Sequence, residues 1–147
     1  MPVSFGGAGA TAKDIWEYAT RILTSYACAK PSDTLRISND SEKTTTSTDY
    51  VKVKETIVGV GGRIRVKFDL KSTPDEDTAY ARIYVNGVAV GTQRTEQAGN
   101  YTTFSEDIDV DIGDLVQIYA KNSAGLTAYV KNFRIYFDYI GLGEGVI

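Results

Sequence analysis

The side chains with the most chemistry to offer are carboxylates, tyrosines and arginines. Histidine is absent, and Cys28 is the only cysteine. Without histidine the chain lacks the commonest general base, the usual zinc and copper ligand and the near-neutral pH switch. Ser-His and Cys-His nucleophile pairs are excluded, and one cysteine permits no intrachain disulfide. What remains is carboxylate chemistry or recognition. The acidic cluster Glu106, Asp107, Asp109, Asp111 and Asp114 raises the question of calcium, which takes six to eight converging oxygens. Alternate residues of a strand lie in a row and do not converge, so no metal or cofactor is expected. No two carboxylates are marked as a buried pair, so a glycosidase is a remote third reading.

Recognition has more material. Ten tyrosines are many for 147 residues. Tyr80, Arg82 and Tyr84 alternate with Ala79, Ala81, Ile83 and Val85, and Arg134 and Tyr136 alternate with Phe133, Ile135 and Phe137. Side chains on a strand point to opposite faces with period two, so each set shares one outward face. If the two strands are neighbours, they form one Tyr/Arg patch, and both residue types are typical of protein interfaces. Tyrosine also stacks on sugar rings. Subunit contact is the preferred reading, because carbohydrate modules more often offer tryptophan and Trp16 lies elsewhere.

These residues must be positioned by strands. Arg63-Ile64-Arg65-Val66-Lys67-Phe68-Asp69-Leu70 alternates without a break, which places Ile64, Val66, Phe68 and Leu70 inward and Arg63, Arg65 and Lys67 outward. Phe104, Ile108, Val110 and Ile112 are likewise expected inward, with Asp107, Asp109 and Asp111 outward. A basic and an acidic strand face would suit complementary patches on adjacent subunits. Asn86-Gly87 between β-formers is a strong hairpin signal. Further strands read at Tyr50–Lys54, Thr78–Val85, Tyr101–Ile112, Leu115–Asn122 and Leu126–Tyr139, with turn chemistry at Gly59–Gly62, Gly113-Asp114 and Asn122–Gly125. The expected fold is mainly β, an antiparallel jelly-roll-type β-sandwich, with a short N-terminal helix and a flexible arm.

Three regions follow. Residues 1–32 read as an arm and an amphipathic helix: Thr11-Ala12-Lys13-Asp14 suits a helix start, Ile15, Trp16, Ala19, Ile22 and Leu23 recur at helical spacing, and Pro31 ends the segment. Residues 33–140 form the sandwich, and Cys28 is expected to pack as a small apolar residue under the helix. Residues 141–147 are a tail, with Leu142, Val146 and Ile147 as apolar anchors between glycines. Ile15, Trp16, Tyr18, Ile22, Leu23, Tyr80, Arg82, Tyr84, Arg134, Tyr136, Leu142, Val146 and Ile147 are the interface candidates. The start lacks a basic n-region and an apolar h-region, so it does not read as a signal peptide. No run of roughly 18 apolar residues predicts a membrane span. The net charge of −3 argues against a nucleic-acid partner.

Two stretches resemble a known class. Ala12–Thr24 resembles a helix-forming segment of tailed-bacteriophage structural proteins. Arg65–Leu70, continued by Ala79–Gly91, resembles jelly-roll β-sandwich domains of phage head-decoration, fibre and tail proteins. The resemblance implies a non-enzymatic virion structural protein, foremost a capsid decoration protein on the particle surface, made in the host cytoplasm. Its implied partners are itself, as a homotrimer, and a capsid or tail protein. The alternatives are a phage fibre or tail component and, from a different class, a carbohydrate-binding jelly-roll module using Tyr80, Tyr84 and Tyr136.

Overall fold

The computed structural model describes residues 28–73 and 78–140. Among them the chain forms strands β1 (Cys28–Asn39), β2 (Lys43–Thr45), β3 (Val51–Ile57), β4 (Gly61–Ser72), β5 (Ala79–Val85), β6 (Val88–Ala89), β7 (Arg94–Glu96), β8 (Thr102–Val110), β9 (Leu115–Asn122) and β10 (Ala128–Ile140). The first sheet has the order β2-β10-β1-β4-β8, with β10 also paired to β4; the second has the order β3-β9-β5-β6, with β7 paired to β5. The β4–β8, β10–β4, β3–β9 and β5–β9 pairs are all antiparallel and join strands distant in sequence. This is the mainly antiparallel, jelly-roll-type β-sandwich that the alternation predicts. Ala29–Asp138 is one compact unit; Met1–Cys28 with Tyr139–Ile147 is a second, and most of the second lies outside the described residues. The expected helix and tail, with Ile15, Trp16, Tyr18, Ile22, Leu23, Leu142, Val146 and Ile147, fall there.

Strand parity builds the core. Ile64, Val66, Phe68 and Leu70 of β4 are buried against Ala81 and Ile83 of β5, Val116 and Ile118 of β9, and Val130, Phe133 and Ile135 of β10. Burying each of the larger of these side chains contributes about 1.5–3 kcal/mol. In β10 the buried positions switch from even (Ala128, Val130) to odd (Phe133, Ile135, Phe137). A bulge between Lys131 and Arg134 makes the switch, with Asn132 at φ 50° donating its side-chain amide to Asp69 Oδ2 at 2.8 Å. The Asn86-Gly87 turn has positive φ at both residues, 51° and 81°, as a type I′ hairpin requires.

Three expectations are corrected, and one strand is added. Ile112 is 61% exposed, because β8 ends at Val110 and Ile112 falls in the turn that follows. The basic and acidic strands complement each other within the chain: β4 and β8 are neighbours in one sheet, so Arg63 pairs with Asp109 and Arg65 with Asp107, each at 3.0 Å. Such surface pairs add about 0–1 kcal/mol each and, being opposite in register, help to fix strand alignment. Cys28 opens strand β1 and is half-buried, so strand structure begins before Pro31 and not after it. The short strand β7, which lacks an alternating apolar pattern, has no counterpart in the sequence reading.

A second register shift, between Lys52 and Lys54 in β3, turns Lys54 inward. Lys54 is 3% exposed. Its ammonium donates to Asn39 O at 3.0 Å, Asn39 Oδ1 at 2.9 Å, Ser41 Oγ at 3.2 Å and the Ser41 carbonyl. Burial, with Lys43 nearby, pulls its pKa below the usual lysine value. Lys54→Met would orphan these acceptors, so we expect it to destabilise the sandwich by about 2–3 kcal/mol, measured by urea denaturation.

Candidate functional site: a tyrosine face on the second sheet

β5 and β9 run side by side in the middle of the second sheet. Their register sets Tyr80 opposite Lys121, Arg82 opposite Tyr119, and Tyr84 opposite Gln117. Directly opposed residues share a face, and the alternate positions Ala81, Ile83, Ile118 and Ala120 are buried in the core. Tyr80, Arg82, Tyr84, Gln117, Tyr119 and Lys121 therefore lie together on the outer face. β3 extends this face with Lys52 opposite Tyr119 and Glu55 opposite Gln117.

The aromatic groups interlock. The Tyr84 and Tyr119 rings stack at 3.8 Å between centroids with 15° between planes. Tyr50, just before β3, tilts against Tyr84 at 6.1 Å and donates its hydroxyl to Gln93 Oε1 at 2.7 Å. Because Gln93 lies on the far side of β9 and β5, in the loop before β7, this bond reaches across the sheet. The Lys121 ammonium lies 4.7 Å from the Tyr50 ring centre and 5.1 Å from that of Tyr80, within cation–π range. Gln117, 5% exposed, is the polar floor: its oxygen accepts from Gly87 N–H at 2.9 Å and its amide donates to Glu55 Oε2 at 2.7 Å. That bond, then Lys52 at 2.9 Å, holds Glu55 below the usual carboxylate range, so Glu55 is ionised.

Burial, with Tyr84 and Tyr80 close by and Arg82 acting the other way, pushes the Tyr50 phenol up to about 12. The unfolded value is about 10, so the folded value is raised. The stabilisation from the neutral phenol is then complete below about pH 10 and is lost as pH rises through about 12. Alkaline absorbance titration is expected to show a late-ionising tyrosine that Tyr50→Phe removes.

The expected single Tyr/Arg patch is split. Tyr80, Arg82 and Tyr84 lie on the second sheet, whereas Arg134 and Tyr136 lie on β10 in the first, opposite Lys67 and Arg65 of β4. Their outward faces belong to different sheets. Arg134 is held by Asp40 at 2.8 Å, and Tyr136 lies under Lys67 at 4.8 Å. The sequence reading missed Tyr50, Gln93, Gln117, Tyr119 and Lys121. Parity along Leu115–Asn122 marks Gln117, Tyr119 and Lys121 as outward; only the β5–β9 pairing, which no local signal encodes, shows that they join Tyr80, Arg82 and Tyr84.

Four of the five carboxylates of the acidic cluster are already engaged. Asp107 and Asp109 hold arginines. Glu106 holds Arg94 at 3.2 Å and accepts from Thr92 N–H. Asp114 accepts from Asp111 N–H and the Asn86 amide, which hold its carboxyl below the usual range. Among the described residues no three His, Cys, Asp or Glu side chains are placed to hold a metal ion.

No protein-family model matches the chain, and no curated protein matches it. Solved structures do. A domain described as the EclA C-terminal domain, a sugar-binding protein, superposes with a TM-score of 0.50 at 10% identity, covering 67% of this chain and 79% of that one. The xylan-binding CBM22-1 domain of Paenibacillus barcinonensis Xyn10C gives 0.45 at 12% identity over 74% and 86%. The CBM6cm-2 module of Cellvibrio mixtus lichenase 5A, solved with cellotriose, gives 0.42 at 14% over 78% and 99%. At such identities the likeness establishes the fold, and it is the first of these superpositions that carries it.

These matches overturn the bacteriophage reading. The superposition that carries the fold is on a domain described as a sugar-binding protein, not on a head-decoration, fibre or tail protein, so the capsid-decoration role and the virion location are dropped. The physical reason lies in the residues that suggested them. Arg65–Leu70 and Ala79–Gly91 are an alternating strand and an Asn-Gly hairpin, which a β-sandwich of any origin uses; Ala12–Thr24 lies outside the described residues.

Proposed function

We propose that the protein is a non-catalytic glycan-binding module whose ligand lies across the outer face of the second sheet. One observation carries the reading: Tyr50, Tyr80, Tyr84 and Tyr119 converge there around Gln117, Arg82 and Lys121. Sugar recognition needs apolar ring surface for the C–H faces of pyranoses and nearby donors and acceptors for their hydroxyls. Four half-buried tyrosines supply the first, and their hydroxyls and the cations supply the second. The preference for subunit contact rested on tryptophan being elsewhere; a cluster of four tyrosines answers that objection. The superposition on a domain described as sugar-binding supports the same reading. Glu106, Asp107 and Asp109 are committed to arginines, which leaves none of them free for acid–base work.

Affinity electrophoresis in polysaccharide gels tests the proposal. The protein is expected to be retarded by at least one polymer, and Tyr80→Ala/Tyr84→Ala/Tyr119→Ala is expected to abolish that retardation. Free migration of the wild type in every gel would contradict it.

A further inference from the structure

Two cations on the tyrosine face have no counter-ion among the described residues. Arg36, Arg63, Arg65, Arg94 and Arg134 each hold an aspartate or glutamate. Arg82 does not: among the described residues its one hydrogen bond runs from Nε to the Gly91 carbonyl, which leaves both terminal nitrogens of the guanidinium uncommitted. The Lys121 ammonium, one register pair further along the same face, touches, among the described residues, the Tyr50 and Tyr80 rings and no carboxylate. Lys52, at the rim, is neutralised by Glu55. The chain as a whole is acidic, with net charge −3, so an unpaired arginine and an unpaired lysine amid stacked tyrosines run against the overall balance.

A half-buried charge without a partner has lost hydration and gained no ion pair. A ligand that brings an oxyanion to the guanidinium restores the pair, and the planar fork of arginine fits a carboxylate with two parallel hydrogen bonds. A neutral pyranose offers no such group; a uronic acid carries one on the ring that the tyrosines would hold. Building on the glycan reading above, we propose that the ligand is an acidic polysaccharide, with Arg82 taking the carboxylate of a uronic acid residue and Lys121 reinforcing it.

The test is affinity electrophoresis of the whole chain against polygalacturonate and alginate, their neutral counterparts xylan, hydroxyethylcellulose and laminarin, and fully methyl-esterified pectin. The ester keeps the sugar backbone and removes the charge. We expect retardation by the uronate polymers, its loss with the ester, and weakening as salt rises from about 20 mM to about 500 mM. Arg82→Gln and, separately, Lys121→Gln are each expected to lower uronate affinity about tenfold or more. Lys121→Gln serves as an independent readout if loss of the Gly91 contact unfolds the Arg82 variant. Equal or stronger retardation by neutral polymers, insensitive to salt and to both substitutions, would overturn the acidic-ligand inference while leaving the glycan module standing. Retardation by no polymer would overturn both.

Discussion

Replacing Tyr84 and Tyr119 together by alanine is expected to lower glycan affinity by about two orders of magnitude, or about 2.8 kcal/mol. The two rings are one object: stacked at 3.8 Å, they come from the adjacent strands β5 and β9 and brace each other. Removing either frees its partner to rotate, so the single substitutions should each cost more than half of the double, and their sum should exceed it. Stability should fall by only about 1 kcal/mol, because both side chains are outward and half-buried and the lost term is mainly the aromatic pair itself. Isothermal titration with a retarding polysaccharide, beside thermal unfolding, separates the two effects. A double variant that binds as tightly as the wild type would remove these rings from the site.

Gly62→Ala is expected to be among the most damaging single substitutions in the sandwich. Gly62 has φ +124°, and a Cβ there would meet Ala29 O at 2.5 Å and Ala29 N at 2.8 Å. Both are backbone atoms of β1, so no side chain can move aside, and β1 and β4 would have to separate. We expect a loss of about 3 kcal/mol or more and a fall in Tm of about 10 °C. Gly87→Ala is the control: φ is +81° but nothing lies within 4 Å of its Cβ, so only backbone strain of about 1 kcal/mol applies. Near-equal losses from the two variants would mean that the close approach of β1 to β4 contributes nothing.

The inward set Ile64, Val66, Phe68 and Leu70, the Asn86-Gly87 hairpin and the outward set Tyr80, Arg82 and Tyr84 were legible because each depends on parity or turn chemistry within a few residues. Strand neighbours were not legible. A single Tyr/Arg patch requires β5 and β10 to be neighbours, yet they are interior strands of different sheets, each with a buried alanine beside an outward tyrosine. The strand that pairs with β5 along its whole length is β9, thirty or more residues away, and that pairing is fixed by burial of the whole inner face. Tyr50 escaped for another reason: it precedes its strand, and contacts with Tyr84, Lys121 and Gln93, all distant in sequence, carry it over the sheet. Conversely, the basic and acidic strands were read correctly as outward, but their complementarity is satisfied within one chain, which removes the reason to place it between subunits.

The most direct test of the central claim is a map of backbone amide shifts in isotope-labelled protein on adding neutral and acidic cell-wall oligosaccharides. The account predicts perturbations concentrated at Tyr50–Lys52, Tyr80–Val85 and Gln117–Lys121, with the outer face of β4 and β10 unmoved. Shifts centred on Arg65, Lys67, Arg134 and Tyr136, or no shifts with any sugar, would contradict it.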